Sequence, residues 1–284
     1  MDIRNIDIDD REYPEHLRNI PGPPELLYYI GNIKLIEHPL IAIVGTRRCS
    51  PYGKWAAEGI AARVAACGIS VVSGMAEGID SAAHKGCIRA GTPTVAVLGT
   101  GIDVCFPKSN LDLYRRIAED GLILSEYPPG TVGASWTFPE RNRIISGLSK
   151  SVVVVEGTLK SGSMITARLA LEQGRDVYAV PGNINQPGSA GVNKLISDGA
   201  CPILDMESAA QTLGLSGAKK IRRIEALSVG EKLVLGAVIE APGSGPDAVA
   251  LKTGLQMNEV LAFLGALELK DLIRSSGQRY YPEQ

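Results

Sequence analysis

The sequence predicts an α/β protein, a doubly wound and mostly parallel sheet followed by a small C-terminal domain. Three observations carry this. Short β-branched runs alternate with amphipathic stretches between residues 40 and 213. Each run is apolar on consecutive positions, the pattern of a strand buried on both faces. Helical periodicity then resumes past residue 227, after a break of small and basic residues.

Residues 1–39 read as an N-terminal extension packed on the edge of the sheet. Tyr13-Pro14, Pro21-Gly22-Pro23-Pro24 and His38-Pro39 break the chain, and only 26–30 resembles a strand. The main domain, 40–215, is expected to carry strands at 41–44, 70–72, 94–98, 122–124, 152–155 and 177–180. Helices are expected between them at 55–67, 81–90, 111–119, 141–148 and 164–173. Ligands of such sheets bind beyond the carboxyl ends of the strands, so the loops leaving that edge should converge on one cleft. Residues 216–226, where Lys219, Lys220, Arg222 and Arg223 lie among small residues, read as a linker. Beyond them, helical patterns at 229–239, 247–251 and 258–269 precede Ser275-Ser276-Gly277, a hairpin turn between runs at 271–274 and 278–281. Helix, helix, turn, helix and two-stranded wing make 227–284 a winged-helix domain.

Composition bounds the function. With 29 basic and 31 acidic residues the net charge is −2, which argues against a protein that coats duplex DNA by sheer basicity. Residues 41–216 hold 16 bases against 15 acids and residues 217–284 hold 9 against 8, so any nucleic-acid surface is a local cluster. Five dispersed cysteines (Cys49, Cys67, Cys87, Cys105, Cys201) have no CxxC spacing and suit reduced thiols; neither a metal nor a cofactor is expected. No run approaches the roughly 18 apolar residues of a membrane helix, and no signal core follows Met1, so the expected place is the cytoplasm.

The loops carry the chemistry. Gly45-Thr46-Arg47-Arg48-Cys49-Ser50-Pro51 follows the first core strand. Ser50 can cap the next helix with Pro51 in its first turn, which offers backbone N–H groups to an anion. A dinucleotide fingerprint would place glycines where Arg47 and Arg48 stand, so this loop suits phosphate on a polymer. Arginines merely exposed after a turn are the plainer reading. SGMAEGID follows the second strand, with His84 one turn beyond Asp80. That pair could serve acid–base chemistry, but a helix cap with a histidine bonded to it is simpler. Phe106-Pro107-Lys108 lies past the third strand. Trp136-Thr137-Phe138-Pro139-Glu140-Arg141-Asn142-Arg143 then gathers one of two tryptophans and one of three phenylalanines beside two arginines. Rings that stack bases, at ~1–3 kcal/mol each, and cations that meet phosphates suit a single strand. A packing role for Trp136 and Phe138 fits the composition equally well. Lys160-Ser161-Gly162-Ser163 opens a helix after the fifth strand and is a second candidate anion site. Pro181-Gly182-Asn183 and Gly191-Val192-Asn193 leave the same edge.

The run from Ile43 to Ala200 resembles the core of the DNA-processing protein A (Smf) family. The resemblance rests on VGTRRCSPYG, SGMAEGIDSAAHKG, VLGTGIDVCFPKSN, LSEYPPGT, FPERNRIISGLS, VVVVEGTLKSGSMITARLALEQGRDVYAVPG and GVNKLISDGA. It implies an extended Rossmann-like fold, a homodimer, single-stranded DNA binding and protection, and loading of the RecA recombinase during natural transformation, without catalysis. The family's DNA pocket maps onto Arg47, Lys108, Phe138, Arg141 and Arg143. Gly45, Arg48, Trp136, Asn142, Lys160, Ser161, Gly162 and Ser163 complete the expected interface. Ser135 stands where some members carry a lysine, and Phe106-Pro107 where Tyr-Pro is usual. The residues before Ile41 are expected to lack the N-terminal helical module of many members.

Two other classes compete. Nucleoside-monophosphate phosphoribohydrolases of the lysine-decarboxylase-like type share a related fold and carry a PGGxGTxxE loop at the place of Glu156-Gly157-Thr158-Leu159-Lys160. Here the paired glycines are absent and Lys160 stands near the end. A sequence-specific duplex reader would use the helix at 258–269, whose approach offers Gln256, Asn258 and Glu259 but no arginine, the residue that most often reads guanine.

Overall fold

The computed structural model describes residues 2–215, 227–270 and 272–282. The chain divides into two units, residues 1–216 and 217–284. The first opens with β1 (Arg4–Asp7), a one-turn helix α1 (Glu15–Arg18) and β2 (Leu26–Gly31). Six strands follow where the apolar runs lie: β3 (Leu40–Val44), β4 (Val71–Ser73), β5 (Val95–Leu98), β6 (Leu122–Ser125), β7 (Ser149–Val154) and β8 (Asp176–Ala179). The two-residue β9 (Cys201–Pro202) ends the sheet.

The nine strands run in the order β1-β2-β6-β5-β4-β3-β7-β8-β9. From β6 to β9 every pairing is parallel, while β1 and β2 pair antiparallel at one edge. The extension is therefore part of the sheet and not merely laid on its edge. Its strand β1 escaped notice because only Ile6 in it is buried, which leaves no apolar run to read. Tyr13, Leu17 and Ile20 from the same stretch are buried in the main core.

Alternation along the strands builds a layer on each face. Leu40, Ala42 and Val44 of β3 pack with Ile144 and Ile145 of α5 (Thr137–Gly147) and with Ala167 and Ala170 of α6 (Gly162–Glu172). Ile41 and Ile43 face the other way, onto Ala57, Ile60 and Val64 of α2 (Pro51–Ala66) and Ile79 and Ala83 of α3 (Ile79–Arg89). Each such Val, Leu or Ile contributes roughly 1.5–3 kcal/mol by leaving water, so a five-residue strand can anchor two layers. The helix α4 (Leu111–Asp120) covers β2 and β6, and α7 (Ala190–Ser197) and the short α8 (Ala209–Thr212) follow β8 and β9. Strand order reverses direction between β3 and β7. That pair is the topological switch point, where the loops to either side diverge and leave a crevice.

In the second unit, α9 (Val229–Glu240) begins with a capping box in which Ser228 and Glu231 satisfy each other's backbone amides. The helix α10 (Pro246–Thr253) ends at Gly254 in the left-handed region, and α11 (Met257–Leu269) leads to the antiparallel pair β10 (Ile273–Ser276) and β11 (Arg279–Pro282). Val234, Val238, Val249, Val260, Leu264 and Leu267 form its own core. The basic stretch at 216–226 lies outside the described residues. Among the described residues no helix is long and apolar enough to cross a membrane.

Candidate nucleic-acid interface

A cleft of about 440 Å³ opens at the carboxyl ends of β3 and β7. Its walls come from the loop after β3 (Gly45, Thr46, Arg47, Arg48), the loop after β4 and the first turn of α3 (Ala76, Asp80), the start of α5 (Ser135, Phe138, Arg141, Asn142) and the start of α6 (Thr158, Ser161, Gly162, Ser163, Thr166). Phe138 supplies the ring. The Arg47 guanidinium stands 5.2 Å from its centroid, and Phe106 packs against it at 5.3 Å. Arg47 and Arg48 are exposed, and among the described residues neither makes an ion pair.

Arg141 is different. Only 4% exposed, it donates through Nη1 to the carbonyls of Gly74 (2.8 Å) and Val97, with Nε unpartnered. Burial lowers its pKa to about 10, opposed by the facing carboxylate of Asp80. Asp80 accepts the amides of Gly74 (3.2 Å) and Ala76 (3.4 Å), and burial raises its pKa against the pull of Arg141. Gly74 is where the two charges meet. A Cβ there would lie 2.7 Å from both Arg141 Nη2 and Asp80 Oδ2, so only glycine fits. Arg141 thus holds the cleft floor together and presents a positive field from below.

The start of α6 is open. Ser161 occupies the N-cap position without accepting a helix amide; its hydroxyl bonds that of Ser163 at 2.7 Å. Asn142 reaches the neighbouring Gly162 carbonyl at 3.4 Å, and Lys160 is exposed just before it. An anion here would meet the positive end of a helix dipole with Arg47 and Arg141 around the same cleft.

The start of α2, expected to be a similar site, is closed. Ser50 caps the helix by accepting from Gly53 N, as expected. Yet the Glu156 carboxylate, leaving the end of β7, accepts both Ser50 N (3.0 Å) and Ser50 Oγ (2.8 Å). Gly53 permits the approach, since a Cβ there would come 2.0 Å from Glu156 Oε2. The protein's own carboxylate fills this seat. Nor do all the loops converge. Glu156 separates the cleft from a second recess lined by Pro181, Gly182 and Asn183.

Other expected residues scatter. Arg143 points away from the cleft and pairs with Glu126 at 2.5 Å, its side chain 15% exposed and close to Gly22 of the N-terminal extension. Trp136 is 62% exposed, edge-on to Tyr127 at 6.2 Å, and does not line the cleft. Lys108 is exposed, next to Phe106 and Pro107, which line a small recess shared with Arg47 and Phe138. His84 does not bond Asp80. Its Nδ1 lies 2.8 Å from Thr94 Oγ1, and since that hydroxyl donates to Val71 O, His84 Nδ1 is the donor of the pair. Sequence reasoning missed Gly74, Thr158 and the closing role of Glu156. Only the glycine-rich spacing of SGMAEG hinted at the first.

The family described as DNA recombination-mediator protein A matches residues 4–214. The chain is 44% identical to the DNA processing protein DprA of Streptococcus pneumoniae over 196 residues, covering 69% of each. It is 36% identical to the protein Smf of Synechocystis over 312 residues, covering 96% of this chain and 78% of that one. Among solved structures, the S. pneumoniae DNA processing protein A superposes with a TM-score of 0.71 at 42% identity, over 74% of this chain and 73% of that one. The Helicobacter pylori protein, studied for its single-stranded DNA binding mode, gives 0.68 at 33% identity, over 74% and 95%.

Proposed function

This chain belongs to the DNA recombination-mediator protein A family, and from that premise we propose that it binds single-stranded DNA in the cleft at the β3–β7 switch point. The observation that carries the reading is Arg47 standing over Phe138 beside the open start of α6. A base stacks on the ring, and phosphates on either side meet Arg47, Arg48, Lys160 and the amides of α6. Arg141 and Asn142 support the floor from beneath.

The wider role follows the family. The protein works in the cytoplasm as a homodimer, protects incoming strands during natural transformation and loads RecA onto them. It is not an enzyme. Among the described residues no hydroxyl–histidine or paired-carboxylate arrangement stands in the cleft, and His84, the histidine nearest to it in sequence, is committed to Thr94. The second unit acts as an accessory winged helix. Met257, Asn258, Leu261 and Ala262 on the exposed side of α11 bring no cation to a duplex groove.

The test compares oligo-dT with blunt duplex across a salt titration, for the wild type and Arg47→Ala. Single strands should bind more tightly, with a log–log salt slope of about −0.7 per phosphate neutralised. Equal affinity for the two would overturn the reading.

A further inference from the structure

We propose that the recess on the far side of Glu156 is a second subsite of the strand, taking a base that carries an exocyclic amino group; this rests on single-strand binding at the cleft. The recess, about 550 Å³, is lined by Tyr52, Glu156, Gly182, Asn183, Gln186 and Ser189, together with residues at the start of α2 and just beyond β7 and β8. It shares a wall with the cleft. Thr46 N donates to the Glu156 carbonyl at 2.7 Å, so the end of β7 stands between the two openings.

Its chemistry is the complement of the cleft's. Among the described residues no lysine or arginine lines it, and the carboxylate repels phosphate, so its occupant is uncharged. Its hydrogen-bonding capacity is unspent. Ser189 is only 8% exposed, yet among the described residues its hydroxyl has no partner, and the side-chain amides of Asn183 and Gln186 have none either. Gly182 keeps that hydroxyl in place, since a Cβ there would come 2.1 Å from Ser189 Oγ. Ser50 occupies Glu156 Oε2, while Oε1 receives only a long hydrogen bond of 3.3 Å and can still accept. Tyr52, 50% exposed, is pinned by its hydroxyl to the Pro181 carbonyl at 3.1 Å and offers a ring for stacking. An acceptor beside an aromatic face selects a base with an amino donor. Cytosine and adenine carry one at the rim of the base, whereas thymine's one donor, N3–H, lies between two carbonyl oxygens that the carboxylate repels.

The experiment measures binding of matched oligo-dC and oligo-dT by the full-length wild type, Asn183→Ala and Arg47→Ala, at slightly alkaline pH where cytosine stays unprotonated. The wild type should hold oligo-dC about three- to tenfold more tightly, the worth of one net hydrogen bond. Asn183→Ala, whose side chain makes no hydrogen bond among the described residues, should bring the ratio toward one chiefly by weakening oligo-dC. A wild-type ratio of one, or a ratio that survives Asn183→Ala, would retire the subsite. If the ratio is one while Arg47→Ala still loses both oligomers, the cleft stands and only the subsite falls. If the wild type binds neither oligomer, the strand-binding reading falls with it.

Discussion

Two helices start side by side at the carboxyl ends of neighbouring strands, and they start differently. The first follows β3 and the second follows β7; a serine precedes each, Ser50 for α2 and Ser161 for α6. In sequence both look like seats for an anion. At α2 the seat is taken by Glu156, a carboxylate 106 residues away along the chain. At α6 no side chain caps the helix and its first turn faces the cleft. A helix start is therefore a site only where the fold brings no anion of its own to it.

The largest expected effect tests the closed end. Glu156→Ala removes the acceptor of two hydrogen bonds at Ser50, and charge-assisted bonds of this kind are worth about 1.5–3 kcal/mol each. Urea unfolding should show a loss of about that size, with the Arg47 loop loosened. Ser161→Ala at the open end should stay within about 0.5 kcal/mol. Equal costs at the two positions would erase the distinction.

Next come the arginines. Arg143→Ala leaves Glu126, whose Oε2 is already buried without a partner, with no counterion. It should lower stability by about 1–3 kcal/mol and spare strand affinity per folded molecule. Arg47→Ala should do the reverse, leaving the unfolding midpoint in place and weakening oligo-dT about tenfold, as the removal of one phosphate-binding cation over the ring implies. A fall in strand affinity on Arg143→Ala at full foldedness would return that residue to the interface.

A pH scan separates cleft from fold more gently. Burial lowers the pKa of His84 from 6.5 to about 3 and that of His16 to about 4. As pH falls below 6.5 the unfolded chain takes up protons that the folded chain refuses, so their stabilising effect, complete above 6.5, declines towards pH 4 and then through His84 alone towards pH 3. Asp80 works in the opposite sense. Its folded pKa is raised above 3.8, so the folded chain protonates first and regains some stability on acidification. The two histidines should outweigh it between pH 6.5 and 5, seen as a falling urea midpoint. Strand affinity should hold steady there, because the cleft's cations are arginines and lysine. A midpoint that rises on acidification would contradict the sign.

Much of this molecule was legible from apolar runs. All six core strands lie within a few residues of their expected places, because a strand buried on both faces leaves a continuous signal. Strands β1 and β9, held by their partners and nearly without apolar side chains, left none. The interface was legible loop by loop but not residue by residue. Arg141, Asn142 and Arg143 are consecutive, and consecutive residues on a helix do not share a face. One enters the floor, one reaches α6 and one turns to Glu126. Clustering in sequence could not show that. Nor could it show that Glu156 would travel to Ser50.

A small gain in stability is expected from the variant that converts the open end into a copy of the closed one. Ser161→Asp places a carboxylate at the N-cap of α6, where it can accept a first-turn amide and meet the positive end of the dipole. The gain should be about 0.5–1 kcal/mol, since the native serine makes no capping bond to lose. The same carboxylate would occupy the phosphate seat and repel the strand from it. Affinity for oligo-dT should fall about three- to tenfold at low salt even as the protein becomes more stable, the worth of one phosphate held at the helix start. Ser161→Asn supplies the cap without the charge and should keep most of the affinity. If Ser161→Asp stabilises the protein and leaves oligo-dT binding intact, the phosphate does not sit at α6, and the arginine loop alone holds the strand.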